Sequence, residues 1–315
     1  MKLLLAAHEG EAFFDLLNDM PEVDIIKAAP HEAVEHIGDA DVFYGFPSAE
    51  IVAHAPRLRW IQAPSAGVEF VAHIPALVQS DIIVTSTRGA HAASVGEHVF
   101  ALLLSFTRGI PTALEWQARK HWGRAEGYRA LAEIAGLTMG IVGFGQLGRG
   151  VAQRARAFEL NLLAVDAQPG DGQPYVDQVW PPSRLPELLA RSDVVVITAP
   201  YTEATHHLID ATALATMRPT AYLIAVSRGG IVNEDALATA LRDGRLAGAA
   251  LDVAEHEPLP PTSPLWDLPN VLITPHLAGA SSAKERRCVE ILRENLLRFI
   301  RGTPLLNVIN KRLGY

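Results

Sequence analysis

Side chains of three kinds able to do chemistry follow three apolar runs in the second half of the sequence. Arg228 comes after AYLIAVS, Glu255 and Glu257 come after AGAALDV, and His276 comes after VLITP. An arginine keeps its charge at any working pH and grips a carboxylate in a planar fork. A histidine can give a proton and take it back, and a carboxylate on its other nitrogen fixes the tautomer. The set suits reduction of a carbonyl next to a carboxylate: the cation holds the acid, the histidine protonates the developing alkoxide, and hydride comes from a separate donor.

A binding signal for such a donor lies upstream. GIVGFGQLGRG holds Gly143, Gly145 and Gly148 in G-x-G-x-x-G spacing, between a strand-like run and an uninterrupted helical stretch, and Asp166 follows 18 residues after Gly148. The first glycine permits a tight turn, the second lets backbone approach a pyrophosphate, and the third lets helix pack on strand. The helix N-terminus then offers unpaired N–H groups to the pyrophosphate. A carboxylate at Asp166 accepts from ribose hydroxyls and repels a 2′-phosphate, and Ala167, Gln168 and Pro169 supply no cation in its place. NAD is therefore expected over NADP.

The elements that must position these residues follow from rhythm. KLLLAA, VDIIKA, ADVFYGF, LRWIQAP and DIIVTST alternate with helical or polar stretches over residues 1–87, as a small α/β unit does. Six longer apolar runs follow: TMGIVGF, LNLLAVD, DVVVITA, AYLIAVS, AGAALDV and NVLITPH. Continuous apolar strands separated by helices predict a doubly wound parallel sheet covered on both faces. The spacing of Val95, Val99, Leu102, Leu103 and Phe106 predicts one long buried helix over 92–120, and SSAKERRCVEILRENLLRFIRG predicts a last amphipathic helix. In an open parallel sheet, ligand sits beyond the carboxyl ends of the strands. Arg228, the carboxylates Glu255 and Glu257, and His276 all fall there.

Bulk properties exclude other classes. At 315 residues two domains are expected. A net charge of −8 lacks the basic excess that a nucleic-acid binder needs. Cys288 is the only cysteine, so neither a disulfide framework nor a cysteine-rich zinc site is expected, and no metal is called for; a reducing, cytoplasmic setting fits. MKLLLAA imitates a signal peptide, but its apolar run stops at His8 and Glu9, which reads as a first strand. VFALLLSF, residues 99–106, is too short to span a membrane.

VSRGGIVNEDAL, LDVAEHEPLP and SPLWDLPNVLITPHLAG, in that order after GIVGFGQLG, resemble the signature segments of the D-isomer-specific 2-hydroxyacid dehydrogenase family. The resemblance extends through STRGAHAASVGEHVFALLL and TAPYTEATHHLI and covers most of residues 60–282. It implies a Rossmann-type NAD domain at 88–286 and a smaller flavodoxin-like substrate domain, discontinuous, from 1–87 plus 287–315, closing over the cofactor. It implies Arg228 on the substrate carboxylate and carbonyl, His276 as acid/base, Glu257 as its partner, and Glu255 as only a loop charge. Cofactor contacts implied by the same segments are Gly143, Gly145, Gln146, Leu147, Gly148, Asp166, Ala199, Pro200, Thr205, Val226, Ser227, Arg228, Asp252, His276 and Gly279. APSAGVEF resembles the family loop whose amides hold the substrate carboxylate, which points to Ser65, Ala66 and Gly67. Phe46 and Pro47, with Trp60 or Trp122, are candidates for the pocket wall.

Some positions depart from the family. Glu159 stands where it often has glycine, the formate dehydrogenase branch carries glutamine where Glu257 stands, and the phosphite dehydrogenase branch carries lysine where Ala66 stands; the chain resembles neither branch closely. A homodimer built on the long helix and arm of the second block is implied. The expected reaction interconverts a small 2-oxo acid and its D-2-hydroxy acid. The alternative is an NAD(H)-sensing, co-repressor-like interaction protein of the same fold, although such relatives carry extra terminal segments for partners.

Overall fold

A computed structural model describes residues 1–6, 13–127, 131–171, 173–176 and 178–312. The stretch holding His8 and Glu9 lies outside them. The chain divides into two compact units, Met1–His91 with Ser281–Tyr315, and Ala92–Ala280. Both cuts fall at helix starts, Ala92–Thr107 and Ser282–Arg301, instead of at 87/88 and 286/287, so that each helix stays whole within one unit.

In the first unit β1 (Lys2–Ala6), β2 (Asp24–Ala28), β3 (Val42–Tyr44), β4 (Trp60–Gln62) and β5 (Ile83–Thr85) are all parallel, in the order β2-β1-β3-β4-β5. This is the flavodoxin-like order. Side chains alternate across the sheet: Leu4, Phe43 and Ile61 enter one core layer, Leu3, Leu5 and Trp60 the other. The second layer is closed by Val289, Leu292 and Leu296 of the last helix, on its apolar stripe. That helix starts where Ser281 Oγ accepts from Lys284 N at 3.0 Å, and stops at Gly302, whose φ is 66°. Asn295 on the same helix donates to Gln62 Oε1 at 3.0 Å, and its Oδ1 accepts from Leu306 N at 2.7 Å, which pins the tail to β4. Trp60, considered for the pocket wall, is buried and donates Nε1 to Thr85 Oγ1 at 2.8 Å, so it is core.

The second unit holds β6 (Thr138–Val142), β7 (Asn161–Val165), β8 (Gly170–Asp171), β9 (Gln178–Trp180), β10 (Val194–Ile197), β11 (Tyr222–Ala225), β12 (Gly248–Leu251) and β13 (Val271–Ile273). Their order is β13-β12-β11-β10-β6-β7-β9-β8, parallel except for the β8–β9 pair. Every residue of β10 and β12 is buried, as a sheet covered on both faces requires. The strand order reverses between β6 and β10, the switch point at which a doubly wound sheet binds ligand. Six apolar strands are predicted; β8 and β9 are additional, from a stretch interrupted by glycine and proline, with β9 paired to β7 and β8 to β9.

The helix predicted over 92–120 is two helices. Ala92–Thr107 ends before Gly109, at φ 63°, and Ile110–Ala118 restarts with Pro111 in its first turn and buries none of its residues. The apolar spacing runs on through Ile110 and Leu114, but the chain turns at Gly109 and leaves both exposed. Ala92–Thr107 packs closely on the helix Gln146–Ala157: a Cβ on Gly150 would come within 2.5 Å of Ala92 O. Glu159, where the family often has glycine, adopts φ 59°, the left-handed region that favours glycine. No helix among the described residues is long and apolar enough to cross a membrane.

Candidate active site

The glycine loop connects β6 to Gln146–Ala157 at the switch point. Gly143 has φ 92°, and a Cβ there would lie 2.4 Å from Ala199 N at the end of β10; a Cβ on Gly148 would meet Gly143 O at 2.3 Å. Around Gly145 a Cβ would meet nothing within 4 Å. The three glycines thus do three separate things: turn, open approach, and close packing. No side chain caps the helix at Gly145, so the N–H groups of Gln146 and Leu147 head a helix whose partial positive charge faces the opening. The loop fits a dinucleotide pyrophosphate. Asp166 at the end of β7 accepts from Phe144 N at 2.6 Å and from Gln168 N at 2.9 Å, so it also shapes the turn it was expected to complement.

Ala199 and Pro200 follow β10, and Thr205 Oγ1 donates to Pro200 O at 2.8 Å while accepting from Thr202 N at 2.7 Å, which folds that loop on itself. Val226 and Ser227 follow β11 and are buried; Ser227 Oγ has no hydrogen-bond partner among the described residues.

Arg228, Glu257 and His276 stand beyond β11, β12 and β13, three neighbouring strands. His276 Nδ1 and Glu257 Oε2 are 2.7 Å apart, and Glu257 Oε1 accepts from Ala254 N at 3.1 Å. With Nδ1–H committed to the carboxylate, Nε2 is the nitrogen left to exchange a proton. Both side chains are partly exposed, 48% for His276 and 40% for Glu257, so a ligand can reach them. Arg228 Nη1 donates to Ser227 O at 2.6 Å. The next residue allows the close approach of its turn to the Glu257 loop, since a Cβ on Gly229 would sit 1.8 Å from Ala254 O.

In the first unit, the loop after β4 is closed by Ser65 Oγ donating to Gly67 O at 2.6 Å and by Thr87 N donating to Ser65 O at 2.9 Å. Among the described residues no acceptor meets the amides of Ala66 and Gly67. Phe46, past the end of β3, is 60% exposed and meets Phe70 edge-on at 5.5 Å.

Residues 100–278 match the model of the D-isomer specific 2-hydroxyacid dehydrogenase NAD binding domain, more than half of the chain. The chain belongs to the D-isomer-specific 2-hydroxyacid dehydrogenase family. A glyoxylate reductase of Korarchaeum cryptofilum is 34% identical over 93% of this chain and 90% of its own. A crystal structure of a family member from Aeromonas salmonicida superposes with a TM-score of 0.88 at 34% identity, covering 98% of this chain and 99% of that one. Another, from Xanthobacter autotrophicus in complex with NADPH and MES, has a TM-score of 0.83 at 29% identity, covering 100% and 99%. As a 2-hydroxyacid dehydrogenase this protein is an oxidoreductase that uses a nicotinamide cofactor.

Two residues of this dehydrogenase that the sequence pattern did not single out hold the histidine loop. Ser94 and His98, one turn apart on Ala92–Thr107, reach its two ends: Ser94 Oγ donates to Gly279 O at 3.2 Å, and His98 Nε2 lies 2.9 Å from Thr274 Oγ1. Their signal was a pair of polar residues at i and i+4, which share one face of a helix. Asp252, expected beside the nicotinamide, turns its carboxylate onto this loop. It accepts from Thr274 Oγ1 at 2.6 Å, Leu277 N at 2.8 Å and Ala278 N at 2.9 Å, with His98 Nε2 at 3.4 Å. These bonds hold His276 at φ 55°, a conformation that costs about 1–3 kcal/mol and persists only where the surroundings impose it.

Burial pushes the Asp252 carboxyl up, but the hydrogen bonds from His98, Thr274, Ala278 and Leu277 outweigh it and hold the group below its ordinary value of 3.8. Its stabilisation is therefore complete above that value and is lost as pH falls through the depressed one. Asp252→Asn turns an N–H toward an amide donor and should cost about 1–3 kcal/mol at neutral pH. Urea midpoints of the two proteins should differ by the same amount at about pH 5 and pH 8 and converge below about pH 4. Equal midpoints throughout would remove Asp252 from this role.

Proposed function

We propose that this chain interconverts a small 2-oxo acid and its D-2-hydroxy acid, with NAD preferred as the cofactor. The observation that carries the reading is the 2.7 Å His276–Glu257 pair beside Arg228, on three neighbouring strand ends of a dinucleotide-binding sheet. Arg228 binds the substrate carboxylate and polarises the carbonyl through charge-assisted hydrogen bonds. His276 delivers a proton from Nε2 to the carbonyl oxygen during reduction and removes it during oxidation, while Glu257 keeps Nδ1 protonated and stabilises the imidazolium. NADH, when bound, supplies the hydride. Gly143, Gly145 and Gly148 seat its pyrophosphate, and Asp166 favours a ribose diol over a 2′-phosphate. In the first unit, the amides of Ala66 and Gly67 offer two donors to the substrate carboxylate, and Phe46 offers an apolar contact to its side chain.

The acting species is proposed to be a homodimer. Ile110, Leu114, Trp122 and Leu131 are exposed along Ile110–Ala118 and the segment after it, with Trp122 91% accessible. Trp122 and Leu131, with Trp116, line a groove of about 800 Å³ that a second copy would cover.

The test is a panel of 2-oxo acids, from glyoxylate to bulkier side chains, followed by absorbance against NADH and NADPH. Turnover of several acids with NADH, each methylene changing kcat/KM by about 10- to 200-fold, is expected. A clear NADPH preference would overturn the role given to Asp166, and no turnover of any acid would overturn the reaction. Light scattering on the same preparation should give twice the 34.0 kDa chain mass.

A further inference from the structure

Glu255 looks like a loop charge in the sequence, yet its carboxylate is held. His207 Nε2 lies 3.2 Å from Glu255 Oε1 and 3.3 Å from Oε2. The other ring nitrogen, Nδ1, is 3.2 Å from Asn233 Nδ2. Asn233 Oδ1 is occupied by Ala236 N at 2.8 Å, at the cap of the helix Glu234–Arg242, so Nδ2 is the atom facing the histidine and it must donate. His207 therefore accepts at Nδ1 and donates from Nε2 to Glu255. The backbone completes the connection: His207 N donates to Gly230 O at 2.8 Å.

Three loops meet in this one side chain. His207 belongs to the loop after β10. Through Gly230 and Asn233 it holds the turn after β11, two and five residues beyond Arg228. Through Glu255 it holds the loop after β12, two residues before Glu257. Glu255 N also donates to Glu234 Oε1 at 2.6 Å, and His206 stacks on His207 with ring centroids 3.9 Å apart, so the cluster is braced on both sides.

We propose that the His207–Glu255 pair is a positioning device: it sets where Glu257, and through it the His276 imidazole, stands relative to Arg228. Neither residue is given contact with substrate or cofactor. The inference rests on the reading of His276 as the proton donor. Its physical basis is the steep dependence of catalysis on placement, since a shift of about 1 Å can cost about 100-fold. Losing the carboxylate at 255 frees the loop that carries Glu257 while leaving the glycine loop on β6 untouched.

The experiment compares wild type, Glu255→Ala and Glu255→Gln by steady-state kinetics and by long-range proton–nitrogen NMR of the histidine rings in protein without ligand. In Glu255→Ala, kcat should fall about 10- to 100-fold, with KM for NADH within about twofold of wild type. Glu255→Gln should regain most of the activity, because its amide oxygen still accepts from His207 Nε2. The NMR should give His207 as the Nε2–H tautomer and His276 as the Nδ1–H tautomer in wild type, with His276 becoming a mixture of tautomers in Glu255→Ala. Unchanged kcat in Glu255→Ala, whatever its melting temperature, overturns the proposal. If wild type turns over no 2-oxo acid, the proposed reaction fails by itself, and the His276 tautomer alone then decides: unchanged in Glu255→Ala, it overturns the positioning role.

Discussion

Replacing His276 with alanine should lower kcat for 2-oxo acid reduction by about 100- to 10,000-fold, the range that a positioned proton donor contributes. The loss should appear in kcat more than in KM, because the proton moves only as the alkoxide develops. Cofactor binding should change little. The glycine loop sits on β6, four strands from β13 in the sheet, which at about 4.8 Å per strand is roughly 19 Å away. NADH fluorescence titration measures that affinity separately. Glu257→Gln should lie between the two proteins: its amide oxygen still accepts from Nδ1, but no negative charge stabilises the imidazolium. Full activity in His276→Ala would end the acid/base assignment.

Arg228→Ala should be almost as damaging, through a different signature. Removing one partner of a desolvated, charge-assisted pair costs about 2–5 kcal/mol, or roughly 30- to 5,000-fold in kcat/KM. Here both parameters should move, since the cation binds the carboxylate in the ground state and the carbonyl oxygen more tightly as charge builds on it. Arg228→Lys should recover only part of the activity, because a point charge cannot reproduce the fork. An aldehyde of matching size isolates the cause: wild type should reduce it poorly, and the alanine variant should lose much less on it than on the acid. Equal losses on both substrates would assign Arg228 to the carbonyl alone, and no loss on the acid would remove it from the site.

Much of this was legible along the chain because the signals are local. A glycine loop between a strand and a helix is set by steric limits within a few residues, as the φ of 92° at Gly143 illustrates. Strand ends were equally readable, so Arg228, Glu257 and His276 could be placed on one sheet edge from their positions after β11, β12 and β13. The break at Gly109 was less visible, because the apolar spacing ahead of it hid where the core ends. β8 and β9 were invisible, since glycine, proline and aspartate interrupt the few strand-formers of GDGQPYVDQVW, and extension comes from β9 pairing with β7 and β8 with β9.

Polar pairing was the least legible. Glu255 and Glu257 are both carboxylates two residues apart, and which one meets His276 is fixed by the turn between them. Family likeness chose Glu257, and the 2.7 Å contact agrees. The same likeness left Glu255 as a loop charge, whereas folding joins it to His207, and it said nothing of the bonds by which the Asp252 carboxylate holds the backbone that carries His276.

The amino-acid string settled the chemical types, their order and the fold class, because backbone sterics and apolar periodicity act over short stretches. Which polar atoms satisfy one another was decided only when segments such as 94–98, 252 and 274–279 met in space. A hydrogen bond depends on tenths of an ångström between residues far apart in sequence, and no spacing rule along a chain carries that distance.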